Sequence, residues 1–377
     1  MPHADAPSSP LALAARRHAD DVVKPHVRDW ERAEAFPRAA ARAAAQDGLL
    51  GLFAPATVGG QGATLAEAMD VFEELGRGDA AYASALSMHN AVTNAISRFG
   101  QPALVERYGQ ALAAGEMLGG FSLTEPHAGS DAAAITTRAV PVDDGWRVTG
   151  RKAWVSLAGE ADVFVLVCRT GSERGTGDVL MLAVDAAAEG VRVERLYDKA
   201  AAAFLPIGEV SYDEVHVPAD ALLAPAGQGM RAALAAIDVA RVDIAAISVG
   251  LATEALVVAL EYAKGRAAFG GTLLDLQAIQ FALADVETDV VAGRLLYRAA
   301  AAALDEGRGT VLAAHAKRFC PDAALRAAIA CSEVLGAYGL LHEYPLARFL
   351  AHAKMLQVVD GTTEIQRIVI ARQLARR

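Results

Sequence analysis

The hydrophobic periodicity of this chain changes twice along its length, and that limits the fold more than any single motif does. From about Leu11 to Met117 the apolar residues recur at helical spacing. From Gly119 the texture becomes short β-branched runs divided by turn signals, and from Met230 to the C-terminus long helical patterns return. In the first stretch, Leu65 to Leu75 reads as an amphipathic helix stopped by Gly76 and Gly78, Ala80 to Phe99 as a second stopped by Gly100, and 55–63 as a loop. The middle stretch holds WRVTG from Trp146, DVFVLVC from Asp162, DVLMLAV from Asp178, VRVERL from Val191 and GEVSYDEVHVP from Gly208. Asp143-Asp144-Gly145 and Gly175-Thr176-Gly177 supply turns, and Pro218, Pro225 and the Gly227 to Gly229 turn close it. Helices are predicted over 230–264, 275–305, 310–335 and 345–359, with a last one from Thr363. The reading is an α+β chain: an N-terminal helical domain (1–118), a middle β-barrel or sandwich domain (119–226) and a C-terminal four-helix bundle (227–377).

A chain of 377 residues with 54% hydrophobic and 21% charged residues can support a sizeable core. The balance of 35 Lys and Arg against 45 Asp and Glu leaves a net charge of -10, which argues against non-specific binding to nucleic acid or an anionic membrane. The most apolar region, Ile237 to Leu260, is interrupted by Asp238, Arg241, Asp243 and Glu254, short of the roughly 20 uninterrupted apolar residues of a membrane span. The first residues are a Pro/Ser/Ala-rich tail without the basic region and apolar core of a secretory signal, so a cytoplasmic location is expected. Cys168, Cys320 and Cys331 form no CxxC pair and are expected as buried thiols; no metal site is assigned.

The chemistry converges on Lys354 to Arg367, KMLQVVDGTTEIQR. One helix face runs out at Val359, and Thr363-Glu364-Ile365-Gln366 has the form of a capping box that opens the next helix. Asp360 therefore lies in the joint. A carboxylate at a helix C-terminus meets the negative end of the macrodipole, which makes it a better proton acceptor. The alternative for Asp360 is an Asp-Gly turn with a solvated side chain.

The segment FSLTEPHAGSD from Phe121 to Asp131, taken with DGTTEIQR, resembles the two signature segments of the acyl-CoA dehydrogenase family. Arg151 to Ser156 (RKAWVS), Arg266 to Gly270 (RAAFG) with Gln277, and Gly336 to Gly339 (GAYG) follow in that family's order and separations. The resemblance implies a homotetramer binding FAD, with the flavin between the β domain and the C-terminal bundle and its adenosine half reaching a neighbouring subunit. Phe121 and Thr124 then match positions at the flavin, and Ser130 matches the pyrophosphate or substrate entrance. Trp154 and Ser156 match the aromatic wall beside the flavin and the hydroxyl that bonds N5; on a strand their i, i+2 spacing puts both on one face. Arg266, Phe269 and Gln277 match groups holding the cofactor from the adjacent subunit, Glu333 and Glu364 match positions near its adenosine half, Gly336 and Ala337 match cofactor-binding positions, and Thr362 a pyrophosphate contact. Arg241 and Gly361, with Ser130, are the substrate-side candidates.

In that family a carboxylate removes the proton alpha to a thioester carbonyl while a hydride leaves the beta carbon for the flavin. Asp360 occupies the base position, where Glu is usual, and its backbone N–H is the implied oxyanion donor. Asp is shorter by about 1.5 Å, and a misplacement of about 1 Å costs on the order of 100-fold in rate. Some members place the Glu instead at the position matching Ala240. Nitroalkane oxidase, a relative, also carries Asp at the position of Asp360. A second departure is the loop Asp198 to Pro206 (DKAAAAFLP), which offers methyl groups where polar contacts toward CoA are usual; Glu333 and Glu364 stand where Gln is usual. The leading reading is a flavin dehydrogenase of an acyl thioester carried on CoA or a carrier protein, with electron-transfer flavoprotein or oxygen as acceptor. A flavin oxidase of a small carbon acid and a non-catalytic FAD-binding assembly protein are the alternatives.

Overall fold

The computed structural model describes residues 9–171 and 175–376; most of the anticipated N-terminal tail lies outside the described residues. The N-terminal region is built of α1 (Pro10–His18), α2 (Lys24–Ala33), α3 (Arg38–Gln46), α4 (Leu65–Gly78), α5 (Ala80–Phe99) and α6 (Pro102–Ala113). Side-chain caps set several starts. Thr64 and Glu67 form a reciprocal capping box on α4, and the Asp79 carboxylate accepts from the backbone N–H of Ala81 and Tyr82 at 2.9 and 3.0 Å to open α5. The expected stop at Gly76 is wrong, because α4 runs through it and ends at Gly78. A Cβ on Gly76 would lie 2.5 Å from the Ile247 carbonyl oxygen, so this glycine permits close helix packing and does not end the helix.

The middle region is one eight-stranded sheet: β1 (Gly119–Ser122), β2 (Arg138–Val142), β3 (Gly145–Ser156), β4 (Val163–Arg169), β5 (Val179–Asp185), β6 (Val191–Leu196), β7 (Ile207–Pro218) and β8 (Leu222–Ala224). The order is β6-β7-β3-β2-β4-β5-β8, with β1 parallel to β4. Every residue of β4 is buried, which explains its unbroken apolar run. The strands β1, β2 and β8 were not anticipated: each is short, and pairing to longer neighbours, not intrinsic propensity, holds it.

The C-terminal region holds α7 (Gly229–Gly265), a small hairpin of β9 (Ala267–Ala268) and β10 (Gly271–Thr272), α8 (Gln277–Asp305), α9 (Thr310–Leu335), α10 (Leu346–Val358) and α11 (Thr363–Leu374). Helix α9 packs against α7, α8, α10 and α11. By length and composition α7 and residues 310–340 could each cross a membrane, but 89% of the most apolar window of α7 is packed inside the protein. That helix joins the regions, lying on α4, α5 and β5 as well as on its own bundle. Cys168, Cys320 and Cys331 are buried free thiols.

Candidate active site

Two successive left-handed residues build the joint between α10 and α11. Asp360 has φ 52° and Gly361 φ 91°, which reverses the chain so that α11 begins at Thr363. A non-glycine residue held in this conformation is strained by roughly 1–3 kcal/mol, which surrounding contacts must offset. One such contact is the Gln366 side-chain amide, which donates to the Gly361 carbonyl at 2.8 Å. The cap of α11 is Thr362, whose Oγ1 accepts from the Ile365 N–H at 3.4 Å, one residue before the capping box expected at Thr363. Thr363 instead turns its hydroxyl back to the Gln357 carbonyl.

Asp360 is half-buried by surface, yet its carboxylate is hemmed in by protein. Burial pushes its pKa above the ordinary carboxylate value, and the nearby cations Lys317 and Arg241 pull it part of the way back. Desolvation is the largest cause of the shift. Lys317 on α9 is fully buried; burial lowers it to about 8, and its ammonium donates to the Leu356 carbonyl at 2.7 Å near the end of α10. Arg241 on α7 donates from Nη1 to Asp238 Oδ1 at 2.6 Å, and the Thr310 hydroxyl donates to the other Asp238 oxygen at 2.6 Å. Arg241 Nη2 lies 3.6 Å from the position a Cβ on Gly361 would take, so this guanidinium and the joint are neighbours.

A second carboxylate belongs to this site, and sequence reasoning treated it only as a break in an apolar run. Asp243 on α7 is 1% exposed and accepts a 2.6 Å hydrogen bond from the Ser87 hydroxyl of α5, while its buried Oδ1 has no hydrogen-bond partner among the described residues. Burial, with the Asp360 charge adding to it, pushes its pKa up to about 8. The available signal was an Asp in the middle of a helix that is otherwise buried and apolar.

The β side of the site is tied together by a buried ion pair. Lys152 Nζ donates to Glu125 Oε1 and to the Leu123 carbonyl, both at 2.8 Å. Glu125 also accepts from the backbone N–H of Thr136 and Thr137 at 2.7 and 2.9 Å. Burial opposes its charge, yet Lys152 and these donors hold its pKa down to about 2. The same knot positions Thr124, whose carbonyl accepts from the Ala153 N–H at 2.8 Å. Phe121 lies on β1 and is half-buried. The register of β3 against β7 shifts between Lys152 and Val155, and Trp154 sits there with φ 57°. The expected alternation of Trp154 and Ser156 is therefore broken by a bulge: Trp154 is 61% exposed, its ring 4.5 Å from that of Tyr197, while Ser156 is half-buried. Ser130 is exposed on the loop between β1 and β2.

A third group stands apart. Arg266 caps the C-terminus of α7 with its guanidinium 5.7 Å from the Tyr338 ring centre, Phe269 is 93% exposed at the hairpin tip, and Gln277 opens α8. Glu333 is exposed on the last turn of α9, and Gly336 and Ala337 follow it at the surface. Arg266 and Arg241 are separated along α7 by 25 residues, about 37 Å at the helical rise. Thr362 and the exposed Glu364 line a cleft of about 380 Å³ with Asp322, Arg326 and Lys354. Among the described residues no group of three or more His, Cys, Asp or Glu side chains is placed to hold a metal ion.

Residues 10–116, 120–215 and 227–375 match, in turn, the N-terminal, middle and C-terminal domains of acyl-CoA dehydrogenase. The chain belongs to the acyl-CoA dehydrogenase family. An acyl-CoA dehydrogenase of Bacillus subtilis is 34% identical over 95% of this chain and 95% of its own length. The mitochondrial isobutyryl-CoA dehydrogenase of Bos taurus is 33% identical over 93% of this chain and 85% of its own. The structure of butyryl-CoA dehydrogenase from Megasphaera elsdenii superposes with a TM-score of 0.92 at 31% identity, covering 97% of each chain. In this acyl-CoA dehydrogenase family member the unusual 198–206 loop is fastened by its backbone and one aromatic ring. The Ala203 N–H donates to Glu31 at 2.9 Å, and buried Phe204 meets Trp30 edge-on at 5.9 Å.

Proposed function

We propose that this protein is an FAD-dependent dehydrogenase that introduces an α,β double bond into an acyl thioester, with Asp360 as the base. The observation that carries the reading is the Asp360 joint: a carboxylate with a pKa raised by burial, on a strained left-handed turn, flanked by two cations. A weakly acidic carbon acid needs such a base, and it needs a donor already aimed at the developing enolate. Asp360 accepts the alpha proton and its backbone N–H serves as the oxyanion donor, while Arg241 and Lys317 favour the ionised carboxylate that must begin the reaction.

The residues fit FAD. Trp154 presents a largely uncovered indole braced on one side by Tyr197, a surface on which a flat ring can stack. Arg266 supplies forked donors, and the cleft at the start of α11 offers helix N–H groups with Arg326 and Lys354 to an anion. Bound there, FAD supplies the acceptor for the hydride leaving the beta carbon. Arg266 ends α7, far along that helix from the joint, and Phe269 and Gln277 follow it on the hairpin and at the start of α8, so all three serve the cofactor of a neighbouring copy in a homotetramer. The outward Phe281, Val291 and Leu295 of α8 form the apolar surface such a copy covers. The carrier is CoA or an acyl carrier protein, with electron-transfer flavoprotein as acceptor; the methyl-lined 198–206 loop makes few polar demands on either carrier.

The Asp in place of Glu supports a second reading, an oxidase of a small carbon acid such as a nitroalkane. Anaerobic mixing of the holoenzyme with CoA thioesters, carrier-bound thioesters and nitroalkanes separates the two. Flavin bleaching by thioesters supports the dehydrogenase, whereas bleaching by nitroalkanes alone, with peroxide release in air, overturns it.

A further inference from the structure

The Ser87–Asp243 pair lies beside the proposed base and is not used by the proposed chemistry. Helix α5 brings Ser87 and helix α7 brings Asp243 to one point, the carboxylate accepts the 2.6 Å hydrogen bond, and the charge of Asp360 reaches Asp243. The acid is buried, and its Oδ1 has no hydrogen-bond partner among the described residues. A buried polar atom without a partner is destabilising until something supplies one.

We propose that Asp243, oriented by Ser87, is a specificity-determining residue that reads a hydroxyl group on the acyl chain, so that the substrate is a hydroxy-substituted acyl thioester. This rests on the dehydrogenase reading above. The surrounding charges select the hydroxyl. A substrate carboxylate would meet both Asp243 and Asp360. A substrate ammonium would meet the Lys317 and Arg241 cations that act on the neighbouring Asp360. A hydroxyl both donates and accepts, so it satisfies Oδ1 whether Asp243 is protonated or ionised. With burial raising Asp243 to about 8, both forms are within reach near neutral pH. A site built to bond a hydroxyl discriminates strongly against the analogue that lacks it, because its polar groups are then left unpaired.

The test uses the FAD-loaded enzyme with matched pairs: butyryl-CoA against 4-hydroxybutyryl-CoA, and isobutyryl-CoA against 3-hydroxyisobutyryl-CoA. The readout is the ratio of kcat/KM with a dye acceptor in the wild type, Asp243→Asn and Asp243→Val. The hydroxylated member of at least one pair is expected to be favoured by about tenfold or more. Asp243→Asn, which keeps a hydrogen-bonding group, retains part of that preference, and Asp243→Val reverses it. An aliphatic preference in the wild type, or a ratio unchanged in Asp243→Val, overturns the proposal while leaving the dehydrogenase reading intact. Reduction of the flavin by none of the four thioesters overturns both. Should Asp243→Val fail to hold FAD, the wild-type ratio and Asp243→Asn still decide.

Discussion

Asp360, on the joint between α10 and α11, raises the pKa of Asp243, on α7, so two carboxylates from distant parts of the chain share one low-dielectric site. Burial is the larger cause of the shift on Asp243, and the like charge adds to it. Coupled groups of this kind titrate as a pair, so an acid limb in the rate belongs to both.

That relationship fixes how stability depends on pH. Asp243 holds its proton up to about 8 in the folded chain against 3.8 for an ordinary Asp. Between those values the native state binds more protons than the unfolded state, so stability falls as pH rises through the window. Asp243→Asn has no proton to lose. Its melting temperature is expected to exceed that of the wild type by several degrees near pH 8, with the gap closing as pH falls toward 4. Melting curves across that range check the sign.

Gly76 is a packing residue, and its replacement tests the close approach of α4 to α7. A Cβ set 2.5 Å from the Ile247 carbonyl oxygen forces the helices apart. Gly76→Ala is expected to destabilise the protein by about 1–3 kcal/mol, measured by denaturant unfolding, despite the better helix propensity of Ala.

The Lys152–Glu125 pair fastens the segment that carries Thr124. Both side chains are buried, so Lys152→Met strands a charge and is expected to cost roughly 3–5 kcal/mol. The double variant with Glu125→Gln should lose less than the sum of the singles. Glu125, held down to about 2, contributes stability above its ordinary 4.5 that is lost as pH falls toward 2. Unfolding midpoints of the two singles and the double measure the coupling.

Trp154 offers the opposite case. At 61% exposure its removal changes little in the apoprotein, within about 0.5 kcal/mol, but strips the proposed stacking surface for the flavin. Trp154→Ala should therefore melt like the wild type without FAD and show at least tenfold weaker FAD binding by fluorescence titration.

The long elements were legible because their patterns repeat: α5 and α9 fall at the bounds that spacing and capping residues set. What failed was local and tertiary. Gly76 read as a stop because a glycine that admits a neighbouring helix looks, in sequence, like one that ends its own. Alternation placed Trp154 and Ser156 together because a bulge leaves no mark on residue type. The Asp360 joint was found from the end of one apolar face and the start of the next, with its cap misplaced by one residue. Asp243 was missed because its meaning comes from Ser87, 156 positions away.

The central claim is that Asp360 removes the alpha proton of an acyl thioester. Anaerobic stopped-flow mixing of FAD-loaded wild type and Asp360→Asn with one CoA thioester that bleaches the wild type tests it most directly. The predicted result is a bleaching rate lowered by about 10²–10⁴-fold in Asp360→Asn, with FAD content and melting temperature kept and, in the wild type, an acid limb above the ordinary Asp value of 3.8. Bleaching by Asp360→Asn at the wild-type rate would contradict the account.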